Sequence, residues 1–298
     1  MRNSVAVRLV IGVGLLLGLF VVTTALSFWQ TRLVDGKIRD VTEVQEPSRA
    51  AAYEMQLTAT ATGAGVLWFV STGDEQYRQK AFNNQASFQQ SRAEYDRLAE
   101  SPEKIQLSAR VGLLSEEYDA LARALMIQAD EERALFSELA ADLRELIVHL
   151  DQGDKWNISP TKSLTGASQA KQSAVWLQME SGITAIFTGL KTYQQTPKQE
   201  YKDRILEGYG LFSKELKRYE NRSILEGEEE WLKELGRGFE HSNLLIPGYL
   251  DLRDELDSNL SQFLELRAGL NRVLEQEVRT VSRRDLAAAI QEVHWIET

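Results

Sequence analysis

The chain has 298 residues, of which 43% are hydrophobic and 26% are charged, a composition typical of a folded protein. Its net charge of −10 argues against a nucleic-acid partner. It contains no cysteine, which excludes disulfides, thiolate metal sites and cysteine nucleophiles. The length allows one or two domains.

The first predicted element is a transmembrane helix. Leu9–Leu26 contains no charged residue, and with its apolar flanks it can cross the ~30 Å hydrocarbon layer. Arg2 and Arg8 precede it, which places that end in the cytoplasm. The alternative is a cleaved signal peptide, whose apolar region is usually only ~7–15 residues long. We therefore predict an uncleaved anchor within residues 1–29, with residues 30–298 outside the cytoplasm.

Beyond the anchor, apolar residues recur every three or four positions, which predicts helix almost throughout. A kink is expected near Pro47, where a proline interrupts the helical hydrogen bonds. No run of alternating apolar and polar residues is long enough to predict a sheet, so the predicted fold class is all-α. The predicted helices end near Ser71 and then span Asp74–Glu100, Glu103–Ile127, Asp130–Leu150, Leu164–Gln195, Lys198–Asn221, Glu228–Leu245 and Tyr249 to the end, with a break at Asp151–Ser163.

The sequence repeats itself at an offset of 124 residues, without a gap from Tyr53 to Tyr95. The offset pairs Tyr77 with Tyr201, and Thr72 with Thr196. A glutamate or glutamine follows each threonine three positions later, which predicts a capping box at the start of a helix in both copies. Smaller shifts extend the repeat to the pairs Tyr118 and Phe239, Phe136 and Phe263, and Leu139 and Leu266.

This repeat predicts two helical modules, 30–152 and 153–298. Each module has four amphipathic stretches joined by short turns, which suits an antiparallel four-helix bundle. The predicted architecture is therefore an N-terminal transmembrane helix followed by two stacked antiparallel four-helix bundles.

The anchor, "EVQEPSRAAAYEMQ" and "VSTGDEQYR" together are similar to the helical extracytoplasmic sensor regions of bacterial transmembrane receptors. These include the CHASE-type and four-helix-bundle sensors of histidine kinases, chemoreceptors and diguanylate cyclases. The doubled unit resembles the helical bimodular arrangement. The resemblance implies a ligand-sensing region that passes a helix shift to a cytoplasmic output domain beyond a second membrane span, both absent from this chain. It also implies a place in the bacterial inner membrane, with residues 30–298 in the periplasm.

The resemblance also implies a homodimer through the bundles and the transmembrane helix. Gly14 and Gly18 form a GxxxG pattern, which allows two such helices to pack closely. Glycine is also common in membrane helices, so the pattern alone does not decide between the two interpretations. The alternative function is a membrane-anchored helical adaptor or spacer that binds a partner protein without signalling.

Catalytic chemistry has little support in the sequence, which has only three histidines. Asp142, Glu145 and His149 share a helix face and could approach a metal ion. Di-iron bundles, however, need a Glu-x-x-His motif on two helices, and no such motif occurs here. The sequence therefore predicts no enzyme, no metal site and no cofactor.

The two copies of the repeat differ in bulk at three core positions. The second copy has Ile183, Ile186 and Phe187, where the first copy has the small residues Ala59, Thr62 and Gly63. If both bundles have the same girth, the first bundle has a void that would destabilise it by several kcal/mol unless something fills it. Alternatively, the helices close in around the small residues, or this stripe faces a partner.

This difference predicts a ligand site in the first module. Arg110, whose counterpart is Trp231, borders the inward face of its helix, and Trp68 is a neighbour of the small residues. A cation, a hydroxyl and an indole together would suit a small organic acid or an amino acid, and a periplasmic protein is the alternative signal. The predicted ligand-binding residues are Ala59, Thr62, Gly63, Trp68 and Arg110.

Overall fold

The computed structural model describes residues 3–99, 101–157, 166–221, 228–276 and 278, and in these ranges the chain is helical without strands. The predicted all-α fold class is confirmed. Arg2, residues 158–163 of the predicted break at Asp151–Ser163 and the end of the predicted last helix lie outside the described residues. The first part of that predicted break, residues 151–157, is not a break but continues the preceding helix. The elements are α1 (Asn3–Asp40), a π-helical segment (Val41–Gln45), α2 (Glu46–Thr72), α3 (Glu75–Leu98), α4 (Pro102–Asn157), α5 (Gly166–Gln195), α6 (Gln199–Glu220) and α7 (Glu228–Gln276).

Helix α1 contains the candidate membrane span of the described part of the chain. Leu15–Leu33 is 19 residues long, has a mean hydropathy of 1.3 and is not buried inside the protein. It overlaps the predicted span Leu9–Leu26. The π-helical segment follows α1 and ends two residues before Pro47. A proline has no N–H and its ring displaces the carbonyl one turn earlier, so the wider π-turn lies where the kink was predicted.

Two of the predicted helix boundaries do not occur. Helix α4 continues through Gln128 and Ala129, and α7 continues through Pro247. Ala129 is buried, as are Ile246 and Tyr249 on either side of the proline. Gln128 and Ala129 do not break a helix, and the packing of the residues around Pro247 keeps the helix continuous despite the lost hydrogen bond.

The described chain forms two compact units, and apart from α1 each has four helical segments. Unit 1 contains 1–69, 74–120 and 264–298, and unit 2 contains 70–73 and 121–263. The predicted modules were consecutive, with a boundary after residue 152. The structure differs because the unbroken α4 places its second half in unit 2, and the second half of α7 supplies the fourth segment of unit 1.

The repeat is nevertheless visible in three dimensions within each unit. In unit 1, a Cβ atom built on Gly65 would lie 3.1 Å from both the Cβ of Ala81 and the carbonyl oxygen of Tyr77. In unit 2, a Cβ on Gly189, the counterpart of Gly65, would lie 2.7 Å from Ile205, the counterpart of Ala81. In both units, the absence of a side chain lets the two helices of a hairpin approach closely.

Each unit has its own apolar core. Several of the aromatic residues that the repeat pairs are buried in both units, as their spacing on one helix face predicts, whereas Tyr77 and Tyr201 are only partly buried. In unit 1 these include Phe88, Tyr95 and Tyr118, and in unit 2 they include Phe212, Tyr219 and Phe239.

The predicted capping boxes do not form. Asp74, the residue after Gly73, caps α3 by accepting a 2.9 Å hydrogen bond from the backbone N–H of Gln76. Thr72 is the last residue of α2. Lys198 stands at the cap of α6 and makes no side-chain capping bond. Thr72 and Thr196 therefore lie at the ends of the preceding helices and do not cap the helices that follow.

Gly73 is expected to be needed for the α2–α3 turn. Its φ of 70° is left-handed, and an added Cβ would lie 2.9 Å from Nε of Arg133. We expect Gly73→Ala to lower the free energy of unfolding by ~1–2 kcal/mol, because a side chain disfavours this conformation. The matched control is Gly210→Ala in α6, where the space is open and a gain of up to ~1 kcal/mol is expected. Urea unfolding measures both, and equal effects would contradict the argument.

Candidate functional site

The structure separates the five predicted ligand-binding residues into two groups. Ala59, Thr62 and Gly63 lie inside unit 1, and the hydroxyl of Thr62 donates to the carbonyl oxygen of Thr58 at 2.8 Å. Trp68 and Arg110 are exposed at the surface. The three small residues on α2 therefore form one buried patch, and the predicted cation and indole are not part of it.

Two side chains of unit 1 occupy the space that the small residues leave. A Cβ atom built on Gly63 would lie 2.6 Å from Cδ of Arg267 and 2.8 Å from the hydroxyl oxygen of Tyr118. Tyr118 donates a 3.0 Å hydrogen bond to the carbonyl oxygen of Ala59. The predicted void next to Gly63 is therefore filled by the protein itself.

The repeat contains the signal that would have identified Arg267. The pairs Phe136 and Phe263, and Leu139 and Leu266, place Ala140 opposite Arg267 in the alignment. Unit 2 thus combines a large Phe187 with a small Ala140, and unit 1 combines a small Gly63 with a large Arg267. The aliphatic stem of an arginine can cover apolar surface while its charged end stays near water, so it can replace the bulk of a ring.

Arg267 also makes this position electropositive. Burial raises the pKa of the Tyr118 hydroxyl, and the nearby charge of Arg267 opposes that rise. No carboxylate among the described residues forms an ion pair with Arg267. Asn271, one turn further along α7, has a buried Oδ1 without a hydrogen-bond partner in the described part of the chain. The arrangement offers a half-buried guanidinium beside a small-residue surface, which suits a carboxylate.

Unit 2 contains a second polar site, a groove of about 400 Å³ between α4 and α7. His241 lies 2.7 Å from Oδ2 of Asp142 through Nδ1, and His149 lies 3.6 Å from Glu145 through Nε2. Nδ1 of His149 is buried and has no partner among the described residues. The groove is lined by Asp142, Glu145, Leu146, His149, Glu234, Arg237, Gly238 and His241.

The groove does not form a metal centre in the described structure. Asp142, Glu145 and His149 share α4, but Asp142 is paired with His241 across the groove and not with His149. No group of three ligating side chains converges in the part of the chain that the structure describes. The groove offers ion pairing and proton exchange at His241. The sequence alone did not identify His241 as the partner of Asp142.

We expect His241 to titrate above its ordinary pKa of about 6.5. The hydrogen bond to Asp142 and then its charge raise this pKa, and Glu138 adds to the effect. Because the pKa of His241 is raised in the folded state, the protonated imidazole stabilises the fold through its pairing with Asp142. This contribution to the free energy of unfolding is complete below the unfolded-state pKa and is lost as the pH rises through the folded-state pKa. An NMR titration of the imidazole measures the shift. Asp142→Asn should return the pKa towards its ordinary value, and an unchanged pKa would show that this pair is not responsible.

Comparisons with solved structures identify the fold. The sensor domain of the V. parahaemolyticus histidine kinase TorS superposes with a TM-score of 0.59 at 14% identity, covering 78% of this chain and 98% of that domain. A TorS sensor domain in complex with TorT, in the presence of TMAO, gives a TM-score of 0.56 at 13% identity with the same coverage. No protein-family model and no curated protein matches the sequence. The chain thus has the fold of a helical bacterial sensor domain, as the resemblance predicted.

Proposed function

We propose that this chain is the periplasmic ligand-sensing region of a bacterial transmembrane receptor, which passes a helix shift to a cytoplasmic output domain outside this chain. The observation that carries the proposal is the fold, which matches a histidine kinase sensor domain over 98% of that domain. The neighbours are sensor domains and not enzymes, and the described residues offer ion pairs and packing rather than a catalytic arrangement.

The proposal places the protein in the inner membrane with residues 30–298 in the periplasm. The support is Leu15–Leu33 of α1, which is apolar and unburied, together with the two arginines before it. In a soluble domain, nineteen such residues would normally be covered by the core. Helix α2 then continues from this anchor after the five-residue π-helical segment.

The proposed small-molecule site lies in unit 1 on Ala59, Thr62 and Gly63, with Arg267 as its cation in place of Arg110. A small organic acid or amino acid would exchange the contact of Arg267 with Gly63 for an ion pair. Binding would then move a side chain of the second half of α7 relative to Gly63 of α2, and both of these parts belong to unit 1. A periplasmic protein is the alternative signal, as a TorS sensor domain has been solved in complex with TorT.

Thermal unfolding of the full-length protein in lipid nanodiscs, with a panel of amino acids and short carboxylates, tests this site. A ligand at ~100 times its Kd adds ~2.7 kcal/mol to the stability of the state that binds it. We expect at least one compound to raise the melting temperature, Arg267→Ala to remove the shift, and the exposed Arg110→Ala to preserve it. A shift that Arg110→Ala abolishes and Arg267→Ala preserves would contradict the assignment.

A graft tests the sensor function itself. Residues 30–276 would replace the sensor domain of a histidine kinase whose output is read with a reporter gene. We expect the compound found by thermal unfolding to change the reporter, and Arg267→Ala to abolish the response. A graft that binds the compound with no change in reporter would favour the alternative function, a membrane-anchored adaptor.

A further inference from the structure

Helix α2 exposes an apolar stripe, which we call the α2 face. It consists of residues spaced three or four apart along the outer side of the helix, opposite its buried side. Tyr53, Leu57 and Trp68 are 58%, 53% and 55% exposed. The members of the α2 face are Ala50, Tyr53, Leu57, Thr60, Ala64 and Trp68, and all of them are exposed.

The α2 face is also uncharged. No aspartate, glutamate, lysine or arginine occurs from Met55 to Gly73, although 26% of the whole chain is charged. The exposed side of a surface helix normally carries charged residues. A contiguous apolar strip without them indicates an interaction surface.

Unit 2 provides an internal control for this interpretation. At the repeat offset, Tyr53, Leu57, Thr60, Ala64 and Trp68 correspond to Leu177, Ser181, Thr184, Thr188 and Thr192. The same stretch of α5 also carries Glu180 and Lys191. The outer side of α5 is therefore largely polar, so a four-helix unit of this design does not itself require an apolar outer face. The apolar character of the α2 face needs a separate explanation.

We propose that the α2 face binds the α2 face of a second copy of this chain, as a short parallel seam. When the same face of two copies meets, each charged residue on it lies close to its own counterpart, which has the same charge. The chain has a net charge of −10, so a face without charged residues avoids this repulsion. A protein partner recruited by charge would instead use the acidic surface. A seam between two identical, two-fold related copies also makes each residue meet its own counterpart.

The spacing and the position of the face support the same occupant. The steps from Ala50 through Tyr53, Leu57 and Thr60 to Ala64 are three, four, three and four residues, the spacing of a coiled-coil seam. Helix α2 follows the proposed membrane anchor after only Val41–Gln45. Two copies anchored at the same end in one membrane would therefore present this face in parallel. The inference rests on the proposed membrane anchoring, and it names the face that joins the two copies.

Disulfide mapping tests the seam, because the chain has no cysteine of its own. Single substitutions Leu57→Cys and Ala64→Cys would be made in the full-length protein in its membrane and oxidised mildly. A disulfide forms only when the two Cβ atoms come close. We expect several-fold more cross-linked dimer at these positions than for Glu54→Cys on a neighbouring side of α2, or for Ser181→Cys and Thr188→Cys in unit 2.

A charge-exchange experiment distinguishes a second copy from another partner. In the Ala64→Cys background, Leu57→Glu and Leu57→Lys are each expected to reduce cross-linking, because each places like charges opposite each other. Coexpression of the two variants should restore it as a mixed dimer, detected with two different tags. Equal cross-linking at all tested positions would overturn the proposal. So would a failure of the coexpressed variants to recover cross-linking, provided that each variant keeps the helicity and the melting temperature of the wild-type protein. Cross-linking is measured without any added ligand. If the dimer cross-links as expected but the grafted sensor gives no reporter response, only the proposed sensor function is contradicted.

Discussion

Trp231→Ala is expected to lower the free energy of unfolding by about 3–5 kcal/mol, the range for removing a large aromatic side chain from a core. Trp231 is 9% exposed and stacks on Trp176 with ring centroids 5.4 Å apart. Its ring also meets Tyr219 edge-on at 5.8 Å, and its Nε1–H donates to the carbonyl oxygen of His149 at 2.7 Å. The substitution removes all of these contacts from the core of unit 2.

Two variants make the Trp231 measurement specific. Trp231→Phe keeps an aromatic ring but loses the hydrogen bond to His149, so we expect a smaller loss than for the alanine variant. Arg110→Ala alters the aligned position of unit 1, and because Arg110 is exposed its effect should lie within about 0.5 kcal/mol. Urea unfolding followed by circular dichroism measures all three. A loss for Arg110→Ala as large as that for Trp231→Ala would show that Arg110 contributes to a core, as the sequence suggested.

The sequence was informative where periodicity decides the structure. The helical period predicted the all-α fold, and the uncharged N-terminal stretch predicted the candidate span in α1. The hairpins α2–α3 and α5–α6 follow from the repeat, since Gly65 and Gly189 have equivalent neighbours. These features depend on residues close together in the sequence, so the single sequence was sufficient to predict them.

The division into units could not be derived in the same way. It depends on whether α4 bends back near Gln128 or continues, and neither local composition nor periodicity distinguishes a short turn from a continuous helix there. Once α4 continues, its second half must pack in unit 2. The second half of α7 then completes unit 1. The halves of α4 and α7 have thus changed places relative to the predicted modules, which leaves the sequence repeat intact but changes which helices are in contact.

The candidate site illustrates a second limit. The small size of Ala59, Thr62 and Gly63 was correctly recognised as a difference between the copies, but the side chain that compensates for it lies on another helix. Arg267 is charged, and a pattern search for apolar residues does not count an arginine as core material although its stem packs like one. Arg110 was selected instead, because it borders the inward face of its helix and aligns with Trp231, but the structure places it at the surface.

Gly63→Phe is expected to destabilise unit 1 by about 1–3 kcal/mol, the usual effect of overpacking a filled core. The first atom of the new side chain would lie 2.6 Å from Cδ of Arg267 and 2.8 Å from the Tyr118 hydroxyl. Arg267 is half-buried and can move outward, but Tyr118 is 2% exposed and held by its bond to Ala59. An empty pocket at this position would instead accept the phenyl ring without a loss of stability.

The compensating substitutions copy unit 2 into unit 1. Unit 2 combines Phe187 with Ala140 and with Phe239, which lacks the hydroxyl of Tyr118. We therefore expect Arg267→Ala and Tyr118→Phe, added to Gly63→Phe, to recover most of the lost stability, with a coupling energy of about 0.5–3 kcal/mol in the mutant cycle. Additive losses would show that Gly63 and Arg267 do not share this space. The recovered variant lacks the cation and also fills the surface at Gly63, so it should fail to bind the carboxylate that shifts the melting temperature of the wild-type protein.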